Sequence, residues 1–188
     1  MTREESLALH NPFVKDGLFR PPLRIDCRTT SASTSLLAGR EAVHLEHPTK
    51  EWIETAAAHT KLRALALTSP VVAHLSPLSH LRLYNLTVFH GNRVQDWSAV
   101  GAIPSLKRLS VHFTTSLTDL SVMEPLGRLE VLTLGGDLYR TMKPKSLLPL
   151  TKLRRLRVLV LEFIRSKGLD FSALRALPRL ERLVYPGA

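Results

Sequence analysis

The chain has 188 residues, 44% hydrophobic and 22% charged, which is the balance of a folded globular domain and excludes a disordered chain as the default reading. Its one cysteine, Cys27, excludes an internal disulfide and a cysteine-based zinc site, and a chain this long buries enough surface to fold without such staples. The net charge of +10 is concentrated in residues 140–188, with 12 Lys and Arg against 3 Asp and Glu (12 − 3 = +9), while residues 1–139 hold 14 against 13.

In chain order, the N-terminal MTREESLALHNPF carries Glu4 and Glu5 and lacks the apolar core of a signal peptide. No apolar run approaches the roughly 18 residues of a membrane span. A cytoplasmic protein without a membrane partner is therefore expected. Residues 1–39 read as an N-terminal cap and linker: Pro21, Pro22 and the stretch Thr29 to Ser35 are loop signals, while Leu18, Phe19, Leu23 and Ile25 suit the cover of an open core. An unstructured tail is the alternative for this segment.

From Arg40 onward the sequence repeats. An L-x-x-L-x-L pattern begins at Leu62, Leu83, Leu106, Leu129, Leu156 and Leu180, with spacings of 21, 23, 23, 27 and 24 residues. A weaker copy starts at Arg40, with Val43 and Leu45 inward, and a still weaker one places Leu23 and Ile25 likewise. Between copies the apolar residues step by three, as in Val94, Trp97, Val100 and Ile103, or Leu117, Leu120, Met123 and Leu126. That step predicts short helical or 3-10 segments packed on a strand layer. Thr49 to His59 is expected to be the most regular helix, capped by Thr49 with Glu51 in its first turn.

These copies resemble the leucine-rich repeat superfamily over roughly Arg40 to Val184. The resemblance implies an α/β solenoid: a right-handed horseshoe, over residues 40–188, with a parallel concave sheet of about 7 strands, short helical or 3-10 convex segments, and protein binding as its commonest use. One departure concerns the turns. Where many members carry a buried Asn or Cys this chain has Pro48, Pro70, Gly91, Thr114, Asp137 and Ile164, so no asparagine ladder is expected, and an insertion near Tyr139 to Ser146 adds irregularity.

Alternation along each strand turns the leucines inward and their neighbours onto the concave face. The expected partner-binding plate comprises Val131, Val158, Val160 and Val184 as an apolar patch, with Phe89, Arg108, His112, Thr133, Glu162 and Arg182 around it. Valines chosen only for strand propensity are the competing explanation. His44 and His112 face outward but three strands apart, too far to share a metal ion. Phe113 and Phe163, where the chain leaves the strand, read as core, and the Gly135-Gly136 pair reads as a tight turn.

The chain has no phosphate-loop, dinucleotide, zincin or nucleophile-elbow motif and no paired carboxylates, so neither catalysis nor a cofactor is expected. A basic patch of Lys143, Lys145, Lys152, Arg154, Arg155 and Arg157 flanks the strand of the fifth full copy, which begins at Leu156. Phosphate binding there lacks outward aromatics to stack bases, so solvated loops that steer an acidic partner are the preferred reading. The sequence as a whole predicts a protein-binding scaffold, a regulatory, inhibitory or immunity-type factor, acting as a monomer whose last strand is blunted by Pro186. A nucleic-acid-binding accessory protein is the second reading.

Overall fold

The computed structural model describes residues 22–165 and 167–185; Leu18, Phe19 and Pro21 of the expected cap, and Pro186, lie outside them. Among the described residues eight parallel strands run in chain order, each hydrogen-bonded to the next. They are β1 (Leu23–Asp26), β2 (Ala42–Glu46), β3 (Ala64–Thr68), β4 (Asn85–Phe89), β5 (Arg108–His112), β6 (Val131–Gly135), β7 (Val158–Glu162) and β8 (Arg182–Val184). The sheet thus has eight strands rather than about seven. The additional one, β1, is formed by the Leu23 and Ile25 copy and lies inside the segment read as cap and linker.

The register explains why the repeat folds this way. Leu65, Leu86, Leu109, Leu132, Leu159 and Leu183 stand opposite one another from β3 to β8, so each copy lays a leucine on that of its neighbour. The second inward row, Leu67, Val88, Val111, Leu134 and Leu161, is buried throughout. The leading leucines Leu62, Leu83, Leu106, Leu129 and Leu156 are buried as well. Leu183 is half exposed, because no described strand follows β8.

The convex side consists of α1 (Thr34–Leu37), α2 (Lys50–Ala57), α3 (Ser98–Gly101) and the 3-10 turns η1 (Ser76–His80), η2 (Leu120–Met123), η3 (Leu148–Lys152) and η4 (Phe171–Ala176). Their three-residue apolar step is satisfied, with Val94, Trp97, Val100, Ile103, Leu117, Leu120, Met123 and Leu126 all buried. The longest helix is α2, as expected, but Thr49 at its N-cap makes no side-chain capping bond. None of the helices among the described residues is long and apolar enough to cross a membrane.

Turns leave the strands in a repeated way despite the missing asparagine ladder. His47, Ser69, His90, Phe113 and Phe163, each one residue past its strand, take left-handed backbone with φ of 54, 50, 53, 53 and 49°. The sheet's backbone ladder continues through these turns: His47 N–H donates to Thr68 C=O (2.7 Å), Ser69 to Phe89 (2.8 Å) and His90 to His112 (3.0 Å). At one turn a side chain does the bracing. The buried Thr114 hydroxyl accepts the Gly91 N–H and donates to the His112 carbonyl, both at 2.9 Å.

Candidate interaction surface

Strand register arranges the outward residues in three rows across the sheet. At the N-terminal end of the strands Arg108, Val131, Val158 and Arg182 stand opposite one another on β5 to β8. All four are half-buried and accessible, so two valines lie side by side between two arginines. Neighbouring strands are about 4.8 Å apart, so the row spans roughly 14 Å.

The middle row is closed. Thr87, Ser110, Thr133 and Val160 are buried, although alternation directs them outward as expected. They stand in register on neighbouring strands, a spacing at which side chains on one face cover one another. Thr133 and Val160 are therefore corrected from the expected contact surface to packing residues, and the row stays open only at its ends, at Val184 on β8 and at Arg24 and His44 on β1 and β2.

The third row holds an aromatic and acidic group. Phe89 stacks on His112 with ring centroids 5.1 Å apart. His112 Nδ1 lies 3.8 Å from Glu162 Oε2, two strands away. That reach depends on Gly135, which puts no side chain on the intervening strand and where an added Cβ would sit 3.0 Å from the Glu162 carbonyl. His112 is buried by this packing, a second correction to the expected surface, whereas Phe89 and Glu162 stay half exposed. His44 on β2 lies 2.9 Å from the Thr68 hydroxyl; burial lowers its pKa, with Arg24 acting in the same direction against Glu46.

Phe113 is 37% exposed and Phe163 is half-buried, so neither is a core residue as expected. The physical reason is the left-handed turn, which swings that side chain out to the rim and gives the interior to the next residue, Thr114 or Ile164. Phe113 stacks there on His90, with centroids 4.9 Å apart.

The six basic residues do not form one patch. Lys152, Arg154, Arg155 and Arg157 lead into β7 at the rim where strands begin, and Arg157 N–H donates to the Glu130 carbonyl there (2.8 Å). Lys143 and Lys145 follow β6 at the opposite rim, where Lys145 N–H bonds the Thr118 carbonyl (2.8 Å). At the first rim Glu130, Arg155, Arg157, Pro178, Arg179, Leu180 and Glu181 line an open cleft of about 640 Å3. Arg157 is fixed within it by a two-pronged pair with Glu181, at 2.7 and 2.8 Å. The cleft adjoins the arginine and valine row, since Glu130, Arg157 and Glu181 immediately precede Val131, Val158 and Arg182.

Sequence reasoning missed two exposed apolar residues, Leu138 and Tyr139, in the turn after β6. The long spacing between the fourth and fifth full copies located the insertion but not the conformation that presents them.

No protein-family model matches the sequence, and no curated protein matches it. Among solved structures, internalin C2 of Listeria monocytogenes aligns over 81% of this chain and 66% of its own length, at 20% identity and a TM-score of 0.58. Another internalin of the same species aligns over 84% of this chain and 58% of its own, at 17% identity and a TM-score of 0.36. The chain thus spans just under two thirds of internalin C2. With the eight-stranded parallel sheet, that likeness establishes the fold as a leucine-rich repeat solenoid.

Proposed function

We propose that this protein is a binding scaffold, a regulatory, inhibitory or immunity-type factor, that holds an acidic partner protein on the strand-start side of its concave sheet. The observation that carries the reading is the in-register row Arg108, Val131, Val158 and Arg182 beside the arginine-lined cleft. Two adjacent half-exposed valines supply an apolar contact that excludes water, and cations at its ends steer and orient an acidic surface. Strand propensity explains each valine alone but not the flanking arginines in the same register. The chain's own charge of +10 opposes self-association and supports a monomer. A nucleic-acid backbone is a poorer fit, because the six basic residues are split between opposite rims instead of lining one track.

The test is affinity purification with the wild-type chain and with Val158→Asp as baits, each with and without nuclease. An acidic protein should be retained by the wild type, survive nuclease and be lost with Val158→Asp. Recovery that disappears with nuclease for both baits would instead support the nucleic-acid reading.

A further inference from the structure

The insertion after β6 is a folded projection. Asp137 N–H donates to the Arg140 carbonyl at 3.0 Å, and Asp137 Oδ1 accepts the N–H groups of Tyr139 (2.8 Å) and Arg140 (2.6 Å), closing a four-residue turn. Its base is tied to the next repeat, with Gly136 N–H on the Glu162 carbonyl (3.1 Å) and buried Met142 N–H on the Phe163 carbonyl (2.9 Å). Gly136 has no room for a Cβ, because the Arg140 carbonyl and the Met142 nitrogen lie against it. On this base Leu138 is 76% exposed and Tyr139 is 94% exposed. A turn already closed loses little backbone freedom when a partner covers it.

The surroundings select the partner. Arg140, Lys143 and Lys145 on the same loop, and Arg165 and Lys167 on the next, are all exposed. The carboxylates near them are engaged, Asp137 by its own turn, Asp119, which interacts with Lys145, by the Ser121 N–H at 2.9 Å, and Asp170 by the Ser172 N–H at 2.8 Å. An apolar tip ringed by cations complements an acidic segment that carries large apolar side chains of its own. A second copy of this chain is repelled by its own charge of +10. Nucleic acid fits less well, since Leu138 offers no stacking face and Tyr139 offers a single one, where a strand stacks successive bases on several rings.

We infer that the Asp137–Arg140 turn is a second docking point, on the rim opposite the arginine cleft, which inserts Leu138 and Tyr139 into an acidic segment of a partner protein. This site stands independently of the concave row. The test selects a random dodecamer peptide display library on the immobilised full chain and measures the enriched peptides on three variants. They are Leu138→Ser with Tyr139→Ala, Lys143→Glu with Lys145→Glu, and Val158→Asp. Enriched peptides should be acidic and carry a large apolar residue, and the tip variant should weaken them about thirtyfold or more, the loss expected of a central anchor. The lysine reversal should slow their association, and Val158→Asp should leave them unchanged. Peptides insensitive to the tip variant, or the absence of any tip-sensitive peptide, would overturn the inference. So would tight binding of oligouridylate that Tyr139→Ala abolishes, which would reassign the tip to nucleic acid. Peptides lost only with Val158→Asp would support the concave row and reject the turn.

Discussion

Leu109 and Ser110 are neighbours on β5 whose side chains lie on opposite faces of the sheet. Leu109 is fully buried between Leu86 and Leu132, whereas the Ser110 side chain lies on the concave face between Thr87 and Thr133. Leu109→Ala removes contacts in the middle of the stacked core and is expected to cost about 2 to 5 kcal/mol. Ser110→Ala removes one small hydroxyl from a packed side chain and should cost about 1 kcal/mol or less. Urea denaturation midpoints check this, and equal losses would mean that the register is shifted by one residue, which exchanges the faces. A different residue-scale rule governs the rims. Non-glycine residues at positive φ cost on the order of 1 kcal/mol or more, a strain sustained here by the backbone bonds that continue the sheet. Cys27 is structural in the same sense: burial pushes its thiol pKa up to about 12, helped by the Asp26 and Glu46 carboxylates, so it stays protonated at neutral pH.

At the scale of elements, three of the seven convex segments among the described residues share a starting device. Asp96, Asp119 and Asp170 each accept the backbone N–H of a serine two residues on, Ser98, Ser121 and Ser172, at 2.8, 2.9 and 2.8 Å. The hydrogen bonds to these serines lower the pKa of all three carboxyls. A carboxyl held lower in the folded than in the unfolded state adds stability above the unfolded value, about 3.9, and that contribution is lost as pH falls through the lower folded value. The urea midpoint should therefore decline below about pH 4, and replacing the three aspartates with Asn should flatten that decline. An equally steep acid limb in the triple variant would assign it to other groups. The Asp-apolar-Ser spacing is visible in the sequence, yet it sits in connecting segments whose apolar step dominates the reading. Helical and 3-10 segments share that three-residue step, so periodicity located the convex elements without distinguishing their types.

For the whole molecule, the leucine period made the solenoid, its inward rows and its direction of stacking legible, because one repeat can bury its apolar edge only against the next. The interaction surface was half legible. Alternation identified the face of Val131, Val158, Arg108 and Arg182, but it does not report how closely side chains fill the gap between strands, so Thr133, Val160 and His112 were not recognised as buried. Phe113, Phe163, Leu138 and Tyr139 escaped because their directions follow from single turn conformations. The uneven charge was evident from composition, whereas its division between two rims required the fold. The most direct test of the proposed binding surface is the association and dissociation kinetics of the recovered protein partner. Arg154→Glu with Arg155→Glu should slow association, most at low ionic strength, while Val158→Asp should mainly speed dissociation. If Val158→Asp leaves both rates unchanged and the arginine reversal abolishes binding, the concave row is not the binding surface.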